Sequence, residues 1–120
     1  MNDWNALRNR NIIDLFIGDK EVDNNSIFYK ISMPYMSGQY ICDFGRLLGI
    51  NIEYSKEKLS RWEYMDRIIN YSIETNKINY FFEKLIDKER FDYLVDASNY
   101  YESPETMYWN IINSLFKKIN

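Results

Sequence analysis

Apolar side chains recur at helical spacing through most of this 120-residue chain, and this repeat is the strongest constraint on its fold. The repeat is clearest near the C-terminus, where Ser103 and Pro104 are residue types preferred at an N-cap and at the first helical position. The side chains that follow form an amphipathic stripe: Tyr108, Ile111, Ile112, Leu115, Phe116 and Ile119. This segment is therefore predicted to be a helix that packs on a core.

Further helices are predicted along the rest of the chain. Ser37 can cap a helix that Gly49 ends. Its apolar positions are expected to form one continuous face: Tyr40, Ile41, Phe44, Leu47 and Leu48. Ser60 and Glu63 have the spacing of a capping box that opens the next helix. The same spacing predicts helices over residues 4–16 and 76–86, and another over 91–95 after a charged junction.

One segment near the N-terminus has the period of a strand. Ile27, Tyr29, Ile31 and Met33 alternate with Phe28, Lys30 and Ser32, and residues 20–22 could supply a short partner. Residues 51–59 are polar and are predicted to be an exposed loop. The expected fold is mainly α: one domain over residues 1–120, a helical bundle of about five or six helices with a short β-strand or hairpin near residues 20–34.

The chain lacks the side chains that most catalytic and metal sites use. It contains no His and a single cysteine, Cys42, which removes the usual zinc sites and Cys–His nucleophile pairs. Its four glycines fit neither the spacing of a P-loop nor that of a dinucleotide-binding loop. The sequence therefore predicts a non-enzymatic protein with no catalytic, metal-binding or cofactor-binding residues.

Carboxylates are the remaining route to catalysis. Asp87, Glu89 and Asp92 form the densest cluster, but Lys88 and Arg90 alternate with them. Such a run is typical of a solvated charged face. A carboxylate-only, metal-dependent enzyme is kept as the second alternative function.

Charge and hydropathy bear on location and partners. Fifteen Lys and Arg stand against 18 Asp and Glu, a net charge of −3, so the chain lacks the basic excess of a dedicated nucleic-acid binder. The N-terminus has no charged-then-apolar signal layout, and no apolar run approaches the roughly eighteen residues of a membrane span. A cytoplasmic location without membrane contact is expected.

Candidate interaction residues fall into a basic group and an aromatic group. They are Lys56, Lys58, Arg61 and Arg67 around the loop and the helix after it, and Tyr101 and Trp109 at the entrance of the last helix. Arg61 beside Trp62 is a combination common at binding hot spots. The simpler interpretation is that Trp62 is core, and that a domain with 11 Tyr, 7 Phe and 3 Trp exposes some aromatic rings by chance.

Two strings resemble a known family. Met33-Pro34-Tyr35-Met36-Ser37-Gly38 and Ser60-Arg61-Trp62 resemble N-terminal domains of AbiJ-type abortive-infection proteins, which are bacterial anti-phage systems, over roughly residues 12–95. The segment 60–86 is also similar to effector-associated and death-like adaptor domains. The resemblance implies recruitment of a partner. The usual HEPN ribonuclease effector of that group depends on an Arg and His motif, and this chain has no His, so ribonuclease activity is not implied.

The predicted function is a non-catalytic protein-interaction or recruitment module of an abortive-infection system, with self-association as its simplest form. The alternative is a sensor of single-stranded nucleic acid that uses Lys56, Lys58, Arg61 and exposed aromatic rings.

Overall fold

The computed structural model of the chain describes residues 3–23, 31–94 and 103–120. Within these ranges it contains six α-helices, two 3-10 helices and two short strands. The α-helices are α1 (Arg10–Phe16), α2 (Gly38–Leu48), α3 (Tyr54–Glu57), α4 (Arg61–Glu74), α5 (Ile78–Leu85) and α6 (Pro104–Ile119); the 3-10 helices are Trp4–Arg8 and Lys88–Phe91. The predicted mainly-α fold with a small β element is confirmed.

The predicted starts of α2, α4 and α6 agree with the structure, and capping side chains form hydrogen bonds at each of them. The Ser37 hydroxyl accepts from the Tyr40 N–H at 3.1 Å, and the Ser103 hydroxyl accepts from the Thr106 N–H at 3.1 Å. At the start of α4, the Ser60 N–H and hydroxyl both donate to the Glu63 carboxylate, at 3.1 and 2.6 Å. Gly49 ends α2 in the left-handed region, with φ 104°.

Helix α4 lies at the centre of the fold. It packs against α1, α2, α5 and the 3-10 helix Trp4–Arg8, while α6 packs on the two strands and on α1. The ring of Phe81 meets the rings of Phe16 and Phe44 edge to face, with centroids 5.7 and 5.8 Å apart. All three side chains are buried. The bundle therefore closes around an aromatic core.

Strand β1 (Glu21–Asp23) pairs antiparallel with β2 (Ile31–Ser32), in a register that places Glu21 opposite Ser32. The expected alternating strand began at Ile27, and its first residues lie outside the described part of the chain. Val22 is buried, as is Ile31. The strands are thus covered by a helix, as a two-stranded unit requires.

The structure corrects three boundaries. The predicted first helix is two pieces, because the Asn9 side chain accepts from the Asn11 N–H at 2.8 Å and restarts the helix as a new cap. Residues 51–59 contain helix α3 and the buried side chain of Ile52, so they are not simply an exposed loop. Helix α5 begins at Ile78 rather than at Asn76, which has φ 57°.

The predicted apolar face of α2 was also wrong at its edges. Ile41, Phe44 and Leu48 are buried, whereas Tyr40 is 41% exposed and Leu47 is 58% exposed. The stripe was wider than the face that α4 covers. The two exposed side chains instead line a surface cleft.

Candidate binding cleft

A cleft of about 580 Å³ lies between α2, the segment before it, and the end of α5 with the residues that follow. Its lining combines aromatic, aliphatic and charged side chains: Pro34, Tyr35, Tyr40, Phe44, Leu47, Lys84, Asp87, Glu89 and Arg90. Tyr35 is 66% exposed. Tyr35, Tyr40 and Leu47 are therefore three exposed large side chains around one concave surface.

A second depression, of about 440 Å³, shares Pro34, Tyr35 and Arg90 with the first. It reaches Tyr93, a half-exposed side chain whose pKa is raised by partial burial. We refer to the two depressions together as the tyrosine cleft. Because Tyr35 and Arg90 line both, they stand at its middle.

Close backbone packing positions Tyr35. Gly18 has φ 82°, and a Cβ atom at this position would lie 2.8 Å from the backbone oxygens of Met33 and Pro34 and from the Cα atom of Tyr35. Only glycine combines that backbone conformation with that approach. The segment after α1 thus supports the segment that carries Tyr35.

Arg61 fixes the same region from α4. Its Nη1 donates to both carboxylate oxygens of Asp19 at 2.7 and 2.8 Å. Its Nε donates to the Met36 carbonyl at 2.8 Å, and its Nη2 donates to the Ile17 carbonyl at 3.2 Å. The guanidinium carbon lies 4.2 Å from the centre of the Tyr35 ring. We refer to these five residues as the Arg61 cluster.

Arg61 was predicted as an interaction residue next to Trp62. In the structure its side chain is 24% exposed and its ring contact is with Tyr35, while Trp62 is half-buried beneath the guanidinium of Arg10, 4.8 Å from the ring centre. Its three donor nitrogens are all engaged within the chain. The chemistry available to Arg61 is therefore the positioning of Tyr35 rather than direct contact with a ligand.

Arg90 differs from Arg61 in the completeness of its contacts. Its Nε donates to the Tyr40 hydroxyl at 3.2 Å and its Nη1 donates to the Leu85 carbonyl. The guanidinium carbon lies 5.6 Å from the Tyr40 ring centre and 6.0 Å from that of Phe44. Nη2 is buried and has no hydrogen-bond partner among the described residues. The cleft therefore contains an incompletely satisfied cation between aromatic rings.

The remaining charges of the cleft have mixed sign. Asp87 accepts a hydrogen bond from the Glu89 N–H at 3.0 Å and so caps the 3-10 helix Lys88–Phe91. Glu89 is exposed. Lys84 lies 5.3 Å from the centre of the Tyr80 ring. Two cations and two carboxylates thus line the cleft, which is not a basic surface.

Trp109 lies elsewhere, on α6, and is 46% exposed. Its indole N–H donates to Glu105 at 2.8 Å, and Lys88 donates to both oxygens of the same carboxylate at 2.7 and 2.6 Å. The hydrogen bonds from Lys88 and then from Trp109 lower the pKa of Glu105. Trp109 is therefore held in an exposed polar network.

Three other predicted interaction residues, Lys56, Lys58 and Arg67, are not among those that line the cleft. Lys56 pairs with Glu53 at 3.3 Å, and its side chain is 75% exposed. Lys58 is exposed, with φ 53°, and Arg67 is exposed on α4. Tyr101 lies outside the described residues. The predicted residues that the structure describes are therefore not gathered into one surface.

Sequence reasoning missed the residues that do line the cleft. The helical spacing places Tyr40 and Leu47 on the buried face of α2. Tyr35 stands out in the sequence only as part of the string from Met33 to Gly38. Arg90 was included in a run of alternating charges. A usable signal was the width of the α2 stripe, which is greater than one neighbouring helix covers.

Within residues 3–23, 31–94 and 103–120, no group of three or more Cys, Asp or Glu side chains is placed to hold a metal ion. No helix of this part of the chain has both the length and the apolar character of a membrane span. Comparison with models of protein families, with curated proteins and with solved structures gave no match.

Proposed function

We propose that this chain is a non-catalytic protein-interaction module that binds a partner protein through the tyrosine cleft. The observation that carries this proposal is the grouping of three exposed large side chains, Tyr35, Tyr40 and Leu47, around a concave surface that also contains Arg90. Tyrosine and arginine are enriched among residues that dominate binding energy, and grouped exposed apolar surface is typical of interaction sites.

The charge of the cleft favours protein over nucleic acid as the partner. Asp87 and Glu89 line the same surface as Lys84 and Arg90, so a phosphate backbone would meet repulsion as well as attraction. Protein interfaces commonly have an apolar centre with polar groups of both signs around it. The cleft likewise combines aromatic and aliphatic side chains with charges of both signs.

The proposed setting is recruitment during abortive infection, and the resemblance of two strings supports it. Arg61 joins those strings in space, because it belongs to the second and contacts Tyr35 and Met36 of the first. The two strings are thus parts of one structural unit beside the cleft. If the setting is correct, Leu47→Asp should abolish protection from phage as completely as deletion of the gene in a plaque assay.

Site-specific photo-crosslinking in the native cell tests the binding proposal. The photoreactive residue p-benzoylphenylalanine replaces Leu47 in one variant and Tyr80 in a matched control. Tyr80 is an aromatic residue on α5, 37% exposed, that does not line the cleft. We expect a discrete protein adduct from position 47 and none from position 80. The adduct partner, once purified, should bind the wild-type chain and lose at least about tenfold in affinity for Leu47→Asp.

The outcomes separate the alternatives. An adduct of twice the chain mass of 14.6 kDa identifies a second copy, and any other protein mass identifies a different partner. An adduct that nuclease removes would favour the nucleic-acid alternative and contradict the proposal. Equal labelling from positions 47 and 80, or no adduct, would contradict it as well.

A further inference from the structure

Among the charged groups that line the cleft, the Arg90 guanidinium is the one with a buried nitrogen that lacks a hydrogen-bond partner in the described part of the chain. Nε and Nη1 bond to neutral oxygens, those of Tyr40 and Leu85, and Nη2 has no partner. The ion pairs found among the described residues do not include Arg90. A buried donor on a charged group is costly when left unpaired.

A carboxylate is the group that would complete these contacts. Guanidinium and carboxylate match in a bidentate arrangement, with two parallel N–H···O bonds. The hydrogen bond from Nε to the Tyr40 hydroxyl, at 3.2 Å, is at the long end of the normal range. Exchanging it for a carboxylate would let the guanidinium rotate and present two N–H groups to the cleft.

The surroundings of Arg90 define what should accompany the carboxylate. The rings of Tyr40 and Phe44 lie 5.6 and 6.0 Å from the guanidinium carbon, and Leu47 lines the same cleft. An apolar side chain next to the carboxylate would contact these groups. Asp87 and Glu89 would repel a second negative charge. The complementary segment therefore has one acidic residue flanked by apolar and neutral or basic residues.

We propose that the partner protein bound in the tyrosine cleft places a single aspartate or glutamate side chain on Arg90, with an apolar neighbour against Tyr40 and Leu47. This inference rests on the proposed function, and it adds the chemistry of the partner segment. Its basis is charge complementarity with an arginine that forms no ion pair and keeps one nitrogen without a partner among the described residues.

Displayed peptide libraries test the inference on the full chain. One library of twelve-residue peptides encodes all amino acids, and the second omits Asp and Glu. Binders are kept only if Leu47→Asp weakens them, which restricts the selection to the cleft. We expect such binders only from the first library, each with one essential acidic residue.

A double-mutant cycle then locates that acidic residue. Its change to the corresponding amide should weaken binding to the wild-type chain at least about tenfold and binding to Arg90→Gln less than about twofold. Arg10→Gln is the matched control and should behave as wild type. If Arg90→Gln does not fold, the Nε–Hε resonance of Arg90 in the wild-type protein serves instead. It should shift with the acidic peptide and not with its amide form.

The results discriminate between the two proposals. Cleft binders that lack an acidic residue, or an amide change that costs the same in wild type and Arg90→Gln, would overturn the inference and leave the proposed function intact. An unmoved Arg90 resonance with the acidic peptide would do the same. Libraries with no binder that Leu47→Asp weakens would contradict the proposed function and this inference together.

Discussion

Two arginines each lie beside a tyrosine ring, and their contacts differ. Arg61 stacks on Tyr35 and bonds to Asp19 and to two backbone carbonyls. Arg90 lies near Tyr40, and within the described residues its Nη2 has no partner and it forms no ion pair. The nitrogen atoms of the Arg61 guanidinium all donate hydrogen bonds within the chain. The Arg90 guanidinium would gain from a group that a partner supplies. The contrast separates side chains that build the surface from side chains that are available to bind.

Gly18→Ala should have the largest effect on stability. The added Cβ atom would meet three backbone atoms at 2.8 Å in a left-handed conformation, so we expect a loss of about 3 kcal/mol in the free energy of unfolding. Gly49→Ala is the control, because its nearest contacts are side-chain atoms of Tyr71 and Lys77, and it should cost about 1 kcal/mol. Urea unfolding measures both. Equal costs would show that the Gly18 approach is not tight.

Arg61→Met should have the next largest effect and lower the free energy of unfolding by about 2–3 kcal/mol, because Asp19 and two carbonyl groups lose the hydrogen bonds that Arg61 donates. Arg61→Lys should restore only part of this loss, since an ammonium cannot form the same fork. The measurement is again urea unfolding. Arg10→Met, which breaks a pair whose arginine side chain is 56% exposed, should cost less than about 1 kcal/mol. A similar cost for both would remove the distinction drawn for Arg61.

Arg90→Met should change the free energy of unfolding by less than about 1 kcal/mol, because the lost hydrogen bonds are offset by removal of an unpaired buried donor. Its affinity for the partner should nevertheless fall at least about tenfold. Calorimetric titration and urea unfolding on the same preparation give both values. A destabilisation as large as that of Arg61→Met, with unchanged affinity, would make Arg90 a structural residue.

Protonation of Glu105 at acid pH should have the smallest effect on the free energy of unfolding. Its folded-state pKa is lowered by Lys88 and Trp109, so its contribution is present above its ordinary pKa of 4.5 and is lost as the pH falls through the lowered value. Glu105→Gln should therefore flatten the decline of stability below about pH 5. Unfolding titrations between pH 7 and 3 test this. An unchanged acid profile would mean that the network on Trp109 contributes nothing to stability.

The helices could be predicted because their determinants are local. Ser37, Ser60 and Ser103 cap helices through residues three positions away, and Gly49 ends one through its own backbone conformation. The break at Asn9 and the buried Ile52 depend on competing caps and on packing, and the stripe pattern alone does not contain them. The mainly-α fold could therefore be predicted from the sequence, whereas these details of its boundaries could not.

The cleft could not be predicted because its residues meet through tertiary contacts. Arg61 reaches Asp19 across 42 positions, and Arg90 reaches Tyr40 across 50. Local spacing identified Arg61 as a charged residue beside a tryptophan and had no means of finding its partner. Tyr40 and Leu47 carry a helical period that does not reveal which side of α2 a neighbouring helix covers.

The most direct test is calorimetric titration of the purified partner into three proteins: wild type, Leu47→Asp and Trp109→Ala. Leu47 and Trp109 are both large and about half exposed, at 58% and 46%, but only Leu47 lines the tyrosine cleft. We predict at least about a tenfold loss of affinity for Leu47→Asp and less than about a twofold change for Trp109→Ala. Undiminished affinity of Leu47→Asp, with a loss at Trp109→Ala, would contradict the assignment of binding to the cleft.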